Sequence, residues 1–188
     1  FGIISNSFSN CEVNGTTYTG GIAGNSYGRI SNCYSTGNVN GINYTGGLLG
    51  ASTDGNVSFC YATGNVNSQG VWMGGLIGRV FYGNVTSCYT SGNIIGNISA
   101  GGLVGSNFGG IIKDSYAMGN VTGTDIWIGG LVGSNYGTII DSFSIGSVLA
   151  ADEYGGLVGY NDESGTTISN SYYNNETSNT NDIGKGEP

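Results

Sequence analysis

Two aspartates combine a residue type and a spacing that could do chemistry. Asp114 and Asp141 occupy the same position in consecutive copies of an internal repeat, two residues before an aromatic residue. Stacked copies would hold these carboxyl groups about 5 Å apart, a separation compatible with a retaining glycosidase. Other copies carry mostly neutral residues at this position: Asn6, Asn32, Phe59, Ser87 and Asn170. We therefore interpret the aspartates as part of an exposed polar column with no catalytic role, and keep a β-helical polysaccharide-acting enzyme as the alternative.

Further acidic residues lie in two predicted turns that flank the last Gly-Gly pair: Asp152, Glu153, Asp162 and Glu163. Hard oxygen ligands from neighbouring turns suit Ca²⁺. The aspartate-glycine pattern of calcium-binding β-rolls is absent, so solvated turns are the preferred interpretation. The chain has no histidine, which removes the commonest general base and most transition-metal sites. We expect no cofactor, with calcium as the alternative.

The four cysteines fall at two positions of the repeat. Cys33, Cys60 and Cys88 directly precede the aromatic residue, where other copies carry serine, and Cys11 replaces a glycine. No Cys-x-x-Cys spacing occurs, which argues against zinc. Stacking would place the Cα atoms of Cys60 and Cys88 about 5 Å apart, within disulfide range. The preferred pairing is Cys60–Cys88 with Cys11–Cys33, and a fully reduced, buried thiol ladder is the alternative.

The sequence has candidate sites for N-glycosylation and, separately, candidate aromatic residues for contact with a partner. Asn-x-Ser/Thr sequons suit a glycosylated surface protein, although chance accounts for many of them in so Asn-rich a chain. They occur at Asn14, Asn43, Asn56, Asn84, Asn97, Asn120 and Asn175. Aromatic residues two positions before a Gly-Gly pair could form an exposed strip that stacks on sugars or on a partner protein. These are Tyr18, Tyr44, Trp72 and Trp127. The alternative is that their rings cover the corner between coils.

All of these candidates belong to one tandem repeat. Gly-Gly pairs recur with spacings of 26, 28, 27, 28 and 26 residues, and each opens a near-copy of GGLVGxNxGxIxDSYAxGNVxG. Columns of like residues at a fixed period are typical of a solenoid, in which each coil contacts only its neighbours. The aromatic column is Phe8, Tyr34, Tyr61, Tyr89, Tyr116, Phe143 and Tyr172. We expect it to form a stacked, buried ring ladder.

Aliphatic columns run beside the rings. Four residues before each ring are Ile4, Ile30, Val57, Val85, Ile112, Ile139 and Ile168. Five residues after it are Val13, Val39, Val66, Ile94, Val121 and Val148. The glycines that bracket the Gly-Gly strand, such as Gly130 and Gly133, should supply positive φ or close backbone approach at corners. The repeat varies in length just before each Gly-Gly pair and around Gly109–Gly110 and Asp162–Ser164, which predicts turns at these places.

Composition supports an all-β fold, a single β-solenoid of about six to seven coils. Gly is abundant with 38 residues, and it disfavours helix by about 1 kcal/mol at each interior position. We place the repeats at residues 1–173, with a partial first coil, and a polar C-terminal cap or tail at residues 174–188. The net charge of −8, with four basic residues, excludes nucleic acid and anionic membrane surfaces as partners. No apolar run is long enough to span a bilayer.

The repeat resembles the GLUG motif family, whose Gly-Leu-apolar-Gly core appears at residues 102–105, 130–133 and 156–159. The resemblance covers essentially the whole chain. It implies a large surface or secreted protein, similar to filamentous-haemagglutinin-like adhesins, in which the motif contributes scaffold rather than active-site residues. Ile22-Ala23 in place of Leu-Val is a departure in the first full coil.

We therefore expect an extracellular or cell-surface structural and adhesive module, and not an enzyme. Its expected partners are further copies of itself stacked head to tail, or flanking domains of the same protein. Glycans or a host or neighbouring-cell surface are further candidates. Stacking would cover the first coil, whose Ile4, Phe8 and Val13 have no preceding coil in this sequence. An ice-binding solenoid ranks last, because Thr residues form no column.

Overall fold

Each copy of the repeat folds into one coil whose strands pair in parallel with the corresponding strands of the coils before and after it. The computed structural model describes residues 2–175 and gives a β-solenoid of about 6 turns, with no helix among those residues. The predicted all-β solenoid is confirmed. The predicted cap at residues 174–188 lies almost entirely outside the described residues.

Four parallel sheets run along the solenoid, and each takes one or two stretches of every coil. Sheet 1 has 11 strands: Ile3–Ser5, Ala23–Ser26, Arg29–Ser31, Leu49–Thr53, Asn56–Ser58, Ile77–Phe81, Asn84–Thr86, Val104–Lys113, Val132–Ile140, Val158–Asn161 and Thr167–Ser169. Sheet 2 has 7 strands: Phe8–Ser9, Tyr34–Ser35, Tyr61–Ala62, Tyr89–Thr90, Tyr116–Ala117, Phe143–Ser144 and Tyr172–Tyr173.

Sheets 3 and 4 close the coil. Sheet 3 has 6 strands: Val13–Asn14, Val39–Gly41, Val66–Ser68, Ile94–Gly96, Val121–Gly123 and Val148–Leu149. Sheet 4 has 6 strands: Thr17–Gly20, Asn43–Gly46, Val71–Gly74, Ile98–Gly101, Ile128–Gly129 and Tyr154–Gly155.

The register aligns the aliphatic columns found in the sequence. Ile30 pairs with Ile4 and Val57 in sheet 1, and Val39 pairs with Val13 and Val66 in sheet 3. These columns fill two cores. The larger lies between sheets 1 and 2 and includes the leucines that follow the Gly-Gly pairs. The smaller lies between sheets 3 and 4.

One predicted turn is instead a bulge within a strand. Gly109 and Gly110 lie inside the strand Val104–Lys113, where the pairing with the next coil shifts register between Phe108 and Ile111. Gly109 takes a φ of 71°, so a glycine absorbs the extra residue without a steric cost from Cβ.

Close backbone approach explains the last glycine of each Gly-Leu-x-Gly segment. This glycine passes directly against a sheet 4 strand. A Cβ at Gly105 would lie 2.6 Å from the amide nitrogen of Met73, and one at Gly133 would lie 2.7 Å from the carbonyl carbon of Ser99. Of the two predicted causes, close approach applies here, since Gly109 and Gly165 are the positive-φ glycines among residues 2–175.

Non-glycine residues in left-handed backbone make the sharp corners. The residue between sheets 1 and 2 has a φ of 47° to 54° in every coil: Asn6, Asn32, Phe59, Ser87, Asp114, Asp141 and Asn170. Asn and Asp tolerate this conformation best, which accounts for a mostly polar column. A second left-handed column, with φ of 44° to 65°, runs through the sheet 4 strands and, in the last two coils, through the residue directly before them: Tyr18, Tyr44, Trp72, Ser99, Trp127 and Glu153.

Candidate interaction surface

The aromatic column of sheet 2 forms a continuous stack of rings, which we call the ring ladder. Its members are Phe8, Tyr34, Tyr61, Tyr89, Tyr116, Phe143 and Tyr172, and all seven pair in register. Ring centroids from Phe8 through Phe143 are 4.8 to 5.2 Å apart, and the rings are within 9° of parallel. Each ring therefore covers the face of the next, and the edges and tyrosine hydroxyls remain for other contacts.

The expectation that the ring ladder is buried is wrong. Phe8 is 63% exposed and Tyr172 is 67% exposed, and the rings between them are partly exposed. The rings face outward because the residues before and after each of them face inward. Around Tyr89, Cys88 is fully buried, and Thr90 is buried with its hydroxyl donating to the Gly102 carbonyl at 2.7 Å.

A second aromatic surface, which we call the aromatic corner, lies where sheet 4 meets sheet 1. It contains Tyr18, Tyr44, Trp72, Phe81, Phe108, Trp127, Tyr136 and Tyr160. Of the four rings predicted from the sequence, three lie on sheet 4 and Trp127 directly precedes one of its strands. The other four rings lie on sheet 1. Tyr18 is 40% exposed, while the other rings are partly buried against one another and cover the corner between coils. Binding of a sugar or a partner protein at these rings stays a prediction. Sequence reasoning missed the sheet 1 rings, because only the folded coil brings the two segments together.

Ring contacts extend the aromatic corner along the solenoid. Tyr44 lies 4.5 Å from Tyr18 and 4.7 Å from Trp72 between ring centroids. Phe81, Phe108, Tyr136 and Tyr160 follow one another at 5.7 to 6.1 Å. Trp127 contacts Tyr160 at 5.2 Å. Burial raises the pKa of Tyr18 and of Tyr136, so both phenols are neutral at neutral pH.

Arg79 lies within the aromatic corner. Its guanidinium carbon is 4.4 Å from the Trp72 ring centroid, 4.0 Å from that of Phe81 and 5.3 Å from that of Phe108. These are cation–π distances. The Nε of Arg79 is buried and has no hydrogen-bond partner. The single ion pair among residues 2–175 is elsewhere, between Lys113 and Asp114.

The candidate catalytic pair lies on an exposed corner away from the aromatic surfaces. Asp114 and Asp141 are both exposed and both in left-handed backbone. Lys113 lies 4.0 Å from Asp114, and the Asn170 amide donates to Asp141 at 3.1 Å. The two carboxylates therefore fit the polar corner column, and both are open to solvent.

The two acidic turns contain local hydrogen bonds. The Glu153 amide donates to the Asp152 carboxylate at 2.8 Å, and the Ser164 hydroxyl donates to the Asp162 carboxylate. Glu163 is exposed. No group of three or more His, Cys, Asp or Glu residues in the described part of the chain is arranged to hold a metal ion.

All four cysteines are free thiols, so the preferred disulfide pairing is not formed. Cys11 is exposed at a turn, whereas Cys33, Cys60 and Cys88 point into the larger core. Each buried thiol donates to the carbonyl two residues before it, at 3.2 to 3.3 Å. Ser115 and Ser142 donate in the same way, which explains why Cys and Ser share this column. Burial raises the pKa of Cys33, and a hydrogen bond with Cys60 together with burial raises that of Cys88.

The sequons lie on strands and turns along several sheets. Five of their asparagines are exposed, namely Asn14, Asn56, Asn84, Asn120 and Asn175. Asn43 and Asn97 are partly buried, and the Asn43 side chain accepts the Val71 amide at 3.1 Å. Asn56 pairs with Asn84 in adjacent coils, so glycans on both would be only one strand spacing apart. Their modification stays a prediction.

Sequence reasoning also missed a buried asparagine ladder in sheet 1, formed by Asn107, Asn135 and Asn161. The side-chain Nδ2 of Asn107 donates to the Oδ1 of Asn135 at 2.8 Å, and the Nδ2 of Asn135 donates to the Oδ1 of Asn161 at 2.8 Å. The signal was present in the sequence, because the three copies from Gly102 onward carry Asn at the same position after Gly-Leu-Val-Gly.

Parallel sheets stacked coil on coil define the chain as a β-solenoid repeat protein. Residues 15–40 and 96–122 match the GLUG motif, which confirms the resemblance predicted from the sequence in these two segments. A search of curated proteins found no match, and nor did a search of solved structures. Within residues 2–175, no helix is long and apolar enough to cross a membrane.

Proposed function

We propose that this β-solenoid is a non-catalytic extracellular module that holds aromatic residues in fixed rows along the surface of a cell or of a secreted filament. The observation that supports the proposal best is the ring ladder, in which one outward position carries an aromatic residue in all seven strands of sheet 2. Outward rings are not needed to fill the cores, which are complete without them. Large exposed apolar surfaces usually mark interaction sites.

The ring ladder suits an adhesive role for a physical reason. Each ring is fixed by the backbone pairing and by its neighbours in the stack, so little conformational entropy is lost when a partner binds. The tyrosine hydroxyls add donors and acceptors at a regular interval. A glycan or a neighbouring-cell surface with repeating polar groups is the proposed partner.

Labelling of intact cells and adhesion of the purified protein test this proposal. An antibody against the solenoid should label intact cells or secreted filaments. Protein-coated beads should adhere to those cells, and a variant with Tyr34, Tyr61 and Tyr89 changed to Ser should adhere less. The matched control changes Thr36 and Thr63 to Ala, which are exposed two residues after rings on the same face. Equal adhesion of the ring variant and the control would refute the role of the ladder.

An assay for polysaccharide cleavage separates this proposal from the enzymatic alternative. We expect no turnover, because the carboxylates of Asp114 and Asp141 are exposed and belong to a corner column that carries neutral residues in the other coils. Turnover that disappears in Asp141→Asn while the fold is retained would overturn the non-catalytic assignment.

A further inference from the structure

The aromatic corner carries opposite charges at its two ends. Arg79 lies in the third coil, held between the rings of Trp72 and Phe81. Three coils further on, both ring columns of the corner continue into carboxylates. Glu153 follows Trp127 in the left-handed column, and the Trp127 amide donates to its carbonyl at 2.8 Å. Asp162 follows Tyr136 in the sheet 1 column, since Asn161 pairs with Asn135.

We propose that two copies of this chain associate through their aromatic corners, side by side and antiparallel, with Arg79 of each copy against the acidic end of the other. A two-fold axis across the corner makes such a contact self-complementary, because residue i of one copy meets residue j of the other and the reverse. The axis would pass near Phe108 and Tyr136, midway between Arg79 and Asp162. Three coils separate the charges, which corresponds to roughly 14 Å at the strand spacing.

The state of Arg79 supports a partner at this place. The rings cover the guanidinium, its Nε is buried without an acceptor, and no carboxylate of the described residues forms an ion pair with it. A guanidinium has five N–H donors in a planar fork that matches a carboxylate. Desolvation by the rings strengthens a bond to an incoming carboxylate and makes an unfilled donor costly.

The arrangement also favours a second copy over an unrelated acidic ligand. The acidic end that complements Arg79 is on the same surface of the same chain, and the apolar rings lie between the two charges. Net charge opposes random association, because two copies each carry −8. Only an orientation that brings Arg79 to the acidic end offsets that repulsion locally, so the contact specifies an antiparallel pair rather than a growing array.

This inference rests on the proposed role of the outward aromatic residues as interaction surfaces, and its test is independent of cells. Sedimentation velocity over a concentration series reaching the millimolar range should show the chain passing from monomer to dimer and no further. Arg79→Glu and Asp162→Arg should each weaken the dimer about tenfold or more, because each places like charges in both contacts. Arg29→Glu makes the same charge change at an exposed position outside the corner and should leave dimerisation unchanged.

The decisive experiment mixes the two variants whose dimerisation is weakened. In a pair made of one Arg79→Glu chain and one Asp162→Arg chain, both contacts join opposite charges, so a heterodimer should form at wild-type affinity. Circular dichroism on each variant shows whether it retains the fold. A chain that stays monomeric at all concentrations, an Arg79→Glu variant that dimerises normally, or a mixture that gives no heterodimer would each overturn the proposal. A monomeric chain that still adheres through its ring ladder would refute the dimer and leave the proposed function standing.

Discussion

Replacement of Asn135 by Val should destabilise the solenoid by about 2–4 kcal/mol, even though valine is the residue that the fold itself uses two coils earlier. Val80, Asn107 and Asn135 occupy the same column of sheet 1. Val80 is buried there, so the position accepts the size and shape of valine. The substitution therefore tests the hydrogen bonds of the buried asparagine ladder with little change in packing.

The expected magnitude follows from the bonds of the Asn135 side chain. Its Oδ1 accepts from the Asn107 amide at 2.8 Å and from the Gly137 amide at 3.3 Å. Its Nδ2 donates to Asn161 at 2.8 Å and to the Gly137 carbonyl at 3.2 Å. The Asn107 amide keeps its bond to the Gly110 carbonyl. Three groups lose a bond: the Gly137 amide, the Gly137 carbonyl and the Asn161 Oδ1. A buried group left unsatisfied costs about 1–3 kcal/mol, and the added apolar burial offsets part of the total.

Urea unfolding followed by circular dichroism and tryptophan fluorescence measures the change in free energy. A complementary substitution, Val80→Asn, extends the ladder towards the Asn107 Oδ1, which is buried without a partner. It should be neutral or stabilise by up to about 1 kcal/mol. Val85→Asn is the matched control, because Val85 is fully buried in the larger core and pairs with Val57 and Ile112, so its column holds aliphatic residues instead of an asparagine. The reasoning is refuted if Asn135→Val is as stable as the wild type, or if Val80→Asn costs as much as Val85→Asn.

Three further experiments test which side chains face the solvent and which face the cores. Tyr89→Ala should lower the free energy of unfolding, measured in urea, by about 1–3 kcal/mol, because it removes two ring stacks from a partly exposed site. The loss should be smaller than that of Leu103→Ala in the core. The reverse order would contradict the outward position of the ring ladder. Phe59→Asn should stabilise the protein by about 0.5–1 kcal/mol. Phe59 is 63% exposed and its backbone is left-handed with a φ of 54°, a conformation in which asparagine is less strained. A destabilised variant would show that the Phe59 ring contributes to packing. One thiol per chain, Cys11, should react with a maleimide in the native protein at neutral pH and four after denaturation, because Cys11 is exposed while Cys33, Cys60 and Cys88 are buried out of reach of the reagent. Fast native labelling of more than one thiol would contradict the buried ladder.

The sequence predicts the inside of this protein well because every coil repeats the same inward residues. Ile30, Val39 and Leu48 each belong to a column of one chemical type, and a parallel solenoid is the fold that stacks such columns. The cores therefore follow from period and residue type alone. No knowledge of handedness or of the exact turn lengths is needed for that step.

The side on which the rings lie could not be derived from the same pattern. Ile30 and Tyr34 are four residues apart, so a regular strand would place both side chains on one face. Asn32 lies between them in left-handed backbone and turns the chain, which reverses the alternation. Only four of the eight rings of the aromatic corner could be predicted from the sequence, for a related reason. Trp72 and Phe108 are distant in sequence and meet only through the path of the coil around the cores.

The two aromatic surfaces differ in how regular their columns are. This difference lets one repeat protein bind two kinds of partner. A column that is the same in every coil, such as the ring ladder, offers a partner many equivalent positions and suits a partner that is itself periodic. A single docking position requires a column whose residues differ from coil to coil. The sheet 1 column through Arg79 is of this kind, since it reads Asn25, Ala51, Arg79, Ser106, Ser134 and Tyr160 in successive coils. Because only one of these coils supplies a cation, a partner that needs a positive charge can bind at one height along the rod, and this is the property that a contact of fixed register between two copies requires.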